Sequence, residues 1–239
     1  MKRKTVFVDK RIPAEAVGEL IARGFAVVTL PPFSRLPVPV ASHTDMLLFK
    51  IGDTVFSHAD YVSEAPYVFE ELYDAGIGKI SLIDCEVTKE YPNDAVLNIL
   101  VFGKKIFCKC DTVSKTVIEA LQKAEYKIIN VRQGYPACTV LKLNDSAALT
   151  ADAGMARALK SEGIKVTMIE NGGIDLYPYE YGFIGGAAGV VGDKVYFTGS
   201  LDAHPSKKAI EKAIYEEGLT PIYLTRTRPI DVGGLLFTD

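Results

Sequence analysis

The chain has 239 residues, a formal net charge of −3 and lysines and arginines that are scattered rather than blocked, so no basic field for nucleic acid is expected. Its hydrophobic fraction of 48% suffices for a sizeable core, yet its longest apolar runs (Met46 to Phe49, Ile99 to Phe102) are far too short to cross a membrane. The basic start Met1-Lys2-Arg3-Lys4 leads into a strand-like segment rather than an apolar signal region, and Cys85, Cys108, Cys110 and Cys138 show no disulfide spacing, so a single cytoplasmic domain over 1–239 is the expectation.

In chain order, Thr5 to Asp9 reads as a strand, followed by a helix near Ala14 to Arg23 with Pro13 in its first turn and Gly24 as its stop. Phe25 to Leu30 is a buried strand, and the proline-rich stretch Pro31 to Pro39 is a loop. A hairpin from Met46 to Ser57, a helix around Ala65 to Asp74 and a strand Lys79 to Ile83 come next. The same order then returns three times. Hairpin Val96 to Cys108 precedes helix Val113 to Lys123 and strand Lys127 to Val131; hairpin Thr139 to Thr150 precedes helix Ala153 to Ser161 and strand Lys165 to Ile169. Hairpin Ala188 to Thr198 precedes helix Ser206 to Glu217 and strand Pro221 to Leu224.

The hairpin turns fall at Gly52-Asp53, Gly103-Lys104-Lys105, Asn144-Asp145-Ser146, Gly192-Asp193-Lys194 and, across the chain ends, Thr238-Asp239, in steps of 51, 41, 48 and 46 residues. A period in this range marks one supersecondary unit used repeatedly. The chain closes on half a hairpin, Gly234 to Thr238, whose missing partner is the first strand. An open stack would leave two raw sheet edges. Half-units that fit each other predict instead an α/β ring of five units, closed by pairing the N-terminal and C-terminal strands.

Five units of hairpin, helix and strand about a pseudo-fivefold axis resemble the pentein fold, an α/β propeller. That group includes the guanidino-group-modifying deiminases, dimethylarginine hydrolases and amidinotransferases, and also the non-enzymatic ribosome-associated initiation factor 6. The chain looks like a separate bacterial branch of the fold rather than any one of these enzymes. The resemblance implies a cysteine that attacks a guanidinium carbon, a histidine acting as acid and base, and carboxylates that grip the planar cation. Thiolate is the strong nucleophile available near neutral pH, and carboxylate forks match a five-donor cation.

His43-Thr44-Asp45, followed by Met46 to Phe49, is similar to the histidine-x-aspartate motif that opens an inner strand in deiminases. An extended segment there would put His43 and Asp45 on one face. Cys138-Thr139-Val140-Leu141 enters a later hairpin at an equivalent place and is similar to the nucleophile segment of the dimethylarginine enzymes. The expected catalytic set is therefore Cys138, His43 and Asp45, each weighed against a plain packing role. The arrangement departs from the family pattern, which has its cysteine in the last unit and its histidine in the third. Here the last unit offers Asp231-Val232-Gly233-Gly234 and the third Gln133-Gly134-Tyr135-Pro136, although the two-unit gap from His43 to Cys138 is the family's own. The ring is cut at a different place, or the chain is a non-catalytic binding module that uses the ring face.

Polar residues that precede other hairpins (Asn93, Asp94, Asn171, Asp175, Glu180, Asp231), with Gln133, are the candidate substrate contacts, and Asp45 with Asp175 or Asp231 would hold the cation. Arg132, Arg226 and Arg228 could meet a substrate carboxylate or be ordinary surface arginines. A small guanidino compound is the expected partner, with no cofactor and no metal. Cys108-Lys109-Cys110 lacks a second ligand pair, and Gly182 to Gly189 leads into a hairpin rather than a helix N-terminus.

Overall fold

A computed structural model describes residues 4–83 and 85–238; Met1-Lys2-Arg3 and Asp239, on which the basic start and the turn across the chain ends partly rest, lie outside the described residues. The first unit comprises β1 (Thr5–Asp9), α1 (Ala14–Ala22) and β2 (Ala26–Leu30). The second comprises a one-turn helix α2 (Thr44–Leu47), hairpin β3 (Leu48–Ile51) and β4 (Thr54–His58), helices α3 (Ala59–Glu64) and α4 (Pro66–Asp74), and β5 (Lys79–Ile83). The third has β6 (Leu100–Phe102), β7 (Lys105–Cys108), α5 (Lys115–Lys123) and β8 (Lys127–Asn130). The fourth has α6 (Pro136–Thr139), β9 (Val140–Lys142), β10 (Ala147–Thr150), α7 (Ala153–Ser161) and β11 (Lys165–Met168). The fifth has β12 (Ala188–Val191), β13 (Lys194–Phe197), α8 (Lys207–Glu216) and β14 (Thr220–Tyr223), and β15 (Leu236–Thr238) returns to the first.

Each unit is a three-stranded sheet with one plan: the middle strand pairs antiparallel with its hairpin partner and parallel with the strand beyond the helix. The parallel pairing needs a crossover, which the helix supplies. Middle strands β1 and β10 are buried at every residue, as expected of strands covered on both faces. Large side chains of the middle strands, such as Phe7 in β1, Phe107 in β7 and Phe197 in β13, are fully buried, each contributing roughly 1.5–3 kcal/mol to the core.

The sheet of the first unit joins the two ends of the chain, with Thr5 opposite Thr238, Val6 opposite Phe237 and Phe7 opposite Leu236. A circuit of hydrogen bonds completes the ring at its centre. Thr44 N donates to Val232 O (3.3 Å), linking units one and two. Asn98 Nδ2 donates to Asp45 Oδ2 (2.8 Å), and Ala137 N donates to Asn98 Oδ1 (2.8 Å), so one asparagine ties units two, three and four. Gly186 N donates to Cys138 O (3.1 Å), and Val232 N donates to Gly186 O (2.8 Å), which returns the circuit to the first unit. Gly185 stands where a Cβ would lie 2.3 Å from Ala137 O and 2.4 Å from Val140 O, so the close approach of units four and five requires glycine.

One local expectation is corrected. The inner strands of units two and four open at Leu48 and Val140, and the residues before them coil into single helical turns, Thr44–Leu47 and Pro136–Thr139. His43 and Asp45 therefore do not share the face of an extended segment; His43 caps the turn and Asp45 lies inside it. Pro136 at the first position of its turn favours the same conformation.

Candidate active site

His43 is delivered by the start of α2 to the centre of the ring, where only 1% of it is exposed. Its Nδ1 lies 3.0 Å from Asp9 Oδ2, and the Arg11 guanidinium closes on the same corner, 2.8 Å from His43 Nδ1 and 2.5 Å from Asp9 Oδ2. On the other side, Nε2 is 3.1 Å from Asp231 Oδ1, within ion-pair range but off the hydrogen-bonding line, so this buried nitrogen has no hydrogen-bond partner. Burial opposes an imidazolium here, but the charge of Asp231, its contact and that of Asp9 outweigh it and lift His43 to about 9. At Asp9 burial pushes the other way, and the bonds from His43 and Arg11 hold the carboxyl below its ordinary value. Asp9 and Asp231 thus draw His43 toward its charged form, with Nδ1 held at the Asp9–Arg11 corner and Nε2 facing Asp231.

Cys138 comes from α6, and its thiol donates to Asp45 Oδ2 at 2.6 Å. Asn98 Nδ2 donates to the same carboxylate oxygen and lies 3.5 Å from the sulfur. Asp45 Oδ1 is buried without a partner. Burial raises Asp45 to about 6 against the pull of His43 and the bonds from Cys138 and Asn98. Burial and the neighbouring Asp45 and Asp231 charges push the Cys138 thiol well above its ordinary value. A carboxylate with a pKa near 6, bonded to a thiol, can take that proton when something stabilises the thiolate.

Asp231 is fixed by the loop before β15. Phe183 N donates to its Oδ2 at 2.8 Å, and Gly233 N to its Oδ1 at 3.0 Å. Gly186 faces it so closely that a Cβ would sit 2.0 Å from Oδ1. His43, Cys138 and Asp231 line one cavity of about 460 Å³, together with Tyr91, Tyr135, Tyr179, Glu180 and Tyr181. Tyr135 is anchored by donating its hydroxyl to Asp94 Oδ2 at 2.6 Å, and its ring centroid is 5.3 Å from that of Tyr91. The wall is thus aromatic, with carboxylates at the base and at the rim. Asp45 does not line this cavity; it meets it through Cys138 and borders a smaller space with Thr44 and Gly233.

The expected contacts divide accordingly. His43, Asp45, Cys138 and Asp231 are brought together. Gln133 and Asn171 line a separate cavity of about 250 Å³, where Gln133 Nε2 donates to Asp152 Oδ2. Asp175 is half exposed and lies 3.8 Å from Arg228 Nη1. Arg132 borders another space with Arg157. Asp9, Arg11 and Asn98 were not anticipated: Asp9 and Arg11 belong to the first unit and Asn98 to the third, and only the ring brings them beside His43 and Cys138. Among the described residues no three or more His, Cys, Asp or Glu side chains form a group that could hold a metal ion.

Comparison with solved structures places the fold. A saxitoxin-pathway amidinotransferase from Microseira wollei superposes with a TM-score of 0.55 at 15% identity, covering 94% of this chain and 88% of that one. An inosamine-phosphate amidinotransferase from Streptomyces griseus gives 0.57 at 16%, covering 96% and 81%. An agmatine deiminase from C. jejuni gives 0.56 at 8%, covering 95% and 88%. The chain has the pentein fold of the guanidino-group-modifying enzymes. It belongs to the family of unknown function DUF6873, which matches residues 7–236. No functionally curated protein matches by sequence.

Proposed function

We propose that this protein is a cysteine-dependent hydrolase or transferase acting on a guanidino or amidino compound, with Cys138 as nucleophile. The observation that carries this reading is the convergence of Cys138, His43 and Asp231, from three units of the ring, on one aromatic-walled cavity. Similar folds in amidinotransferases and an agmatine deiminase favour the same class.

A planar cation held against Asp231 brings positive charge beside Cys138 and favours its thiolate. The thiol proton passes to Asp45, 2.6 Å away, as the sulfur bonds to the central carbon of the cation. His43 then donates its Nε2 proton to the departing amine as the C–N bond breaks, and the neutral imidazole takes a proton from an incoming water or amine. The new C–O or C–N bond forms as the C–S bond breaks, and Cys138 recovers its proton from Asp45. Water gives a ureido product, and an amine acceptor gives amidino transfer. Asp9, with Arg11, positions His43; Asn98 positions Asp45 and the helical turn that carries Cys138.

The test is release of amine and ureido product from a panel of guanidino and amidino compounds, with wild type beside Cys138→Ala. Turnover confined to the wild type is expected; equal turnover in both would remove Cys138 from the chemistry. A second reading, a binding module without turnover, is favoured by one observation: the resting thiol is buried and held protonated against Asp45. Under that reading the panel binds but is not consumed.

A further inference from the structure

We infer that the cavity is built for a cation that carries no carboxylate: a guanidine or amidine on an aromatic or alkyl body rather than an amino acid. The inference concerns the same cavity and rests on the proposed function for turnover, but the binding preference stands on the lining alone. Asp231 lies at the base and Glu180 at the exposed rim, and no lysine or arginine is among the described lining residues. The one cationic group, His43, is already matched by Asp9 and Asp231.

Three arginines of the surrounding segments lie outside the lining of the cavity. Arg11 is bonded to Asp9, Arg228 lies against Asp175, and Arg132 borders a space that meets the cavity only at Tyr91. The adjoining smaller cavity, which shares Tyr181 and Phe183, has the same bias: Asp152 and Glu170 line it, with no lysine or arginine. A substrate carboxylate would find no fork to receive it and would face like charge on entry. The apolar remainder of the ligand has suitable company in Tyr91, Tyr135 and Tyr179, whose faces also attract a cation.

Binding of two matched pairs tests this by calorimetric titration of Cys138→Ala and by thermal shift of the unmodified chain: agmatine against arginine, and phenylguanidine against 4-guanidinobenzoate. Each carboxylate-bearing partner is expected to bind at least about ten-fold more weakly than its counterpart. Glu180→Gln, at an exposed position, should narrow that ratio. Equal or tighter binding of the carboxylate members overturns the inference, and so does an absence of binding by all four in both formats. Discrimination without turnover by the wild type supports this inference while sinking the catalytic reading. Wild-type turnover of arginine as efficient as that of agmatine does the reverse.

Discussion

The thiol of Cys138 and the carboxylate of Asp45, 93 residues apart in the chain, share a hydrogen bond of 2.6 Å. It joins units two and four across the centre of the ring and gives the thiol proton a place to go. Asn98 holds the same oxygen, so the pair is fixed from the third unit as well.

In the proposed mechanism that pairing sets the pH dependence. Proton transfer needs Asp45 ionised, and it loses its charge below about 6. Donation to the leaving amine needs His43 protonated, and it loses its proton above about 9. Turnover should therefore follow a bell with limbs near these two values. Asp45→Asn should abolish the acid limb and lower kcat by roughly 10²-fold or more. Rates measured across the range on a single substrate decide it; an acid limb that survives in Asp45→Asn would assign it elsewhere.

His43 also ties stability to pH. Its folded-state value of about 9 lies above the unfolded value of 6.5, so its contribution is complete below the latter and is lost as pH rises through the former. Wild type should lose about 3 kcal/mol more than His43→Gln between about pH 6 and about pH 10. Urea unfolding at several pH values checks this, and parallel curves for the two proteins would contradict it.

Much of this was legible in the sequence, for physical reasons that can be named. Glycine-centred turns and half-units at the two ends fix the array, because a hairpin half needs its partner strand. The His43-Thr44-Asp45 motif and Cys138 stand at equivalent places in units two and four, so the repeat locates both. Asn171, Asp175 and Gln133 also precede or follow unit boundaries, but position along the chain does not say which way a loop turns. Asp175 is held outward where its backbone N–H donates to Pro229 O and its carbonyl accepts from Asp231 N. Asp9, Arg11 and Asn98 left no local pattern. Asp9 ends a buried strand, Arg11 is its neighbour, and Asn98 acts through two other units.

One strained residue offers a test of the repeat itself. Gly24 follows α1 at φ 87°, whereas Glu125 occupies the corresponding place after α5 at φ 57° and is exposed. A side chain in that left-handed region costs roughly 1–2 kcal/mol. Glu125→Gly should stabilise the protein by about 1 kcal/mol in urea unfolding, with turnover unchanged. Destabilisation would mean that the side chain contributes more than the backbone strain costs.

The proposed chemistry requires Cys138 to bond to the substrate carbon. Rapid acid quenching during turnover, followed by intact-mass and peptide analysis, should show an amidino adduct on Cys138 in the wild type. The same adduct should form and decay more slowly in His43→Gln, which lacks both the proton donor for the departing amine and the base for the second nucleophile, and be absent from Cys138→Ser. Steady turnover with no adduct on Cys138 in either protein, or undiminished turnover by Cys138→Ser, would contradict it.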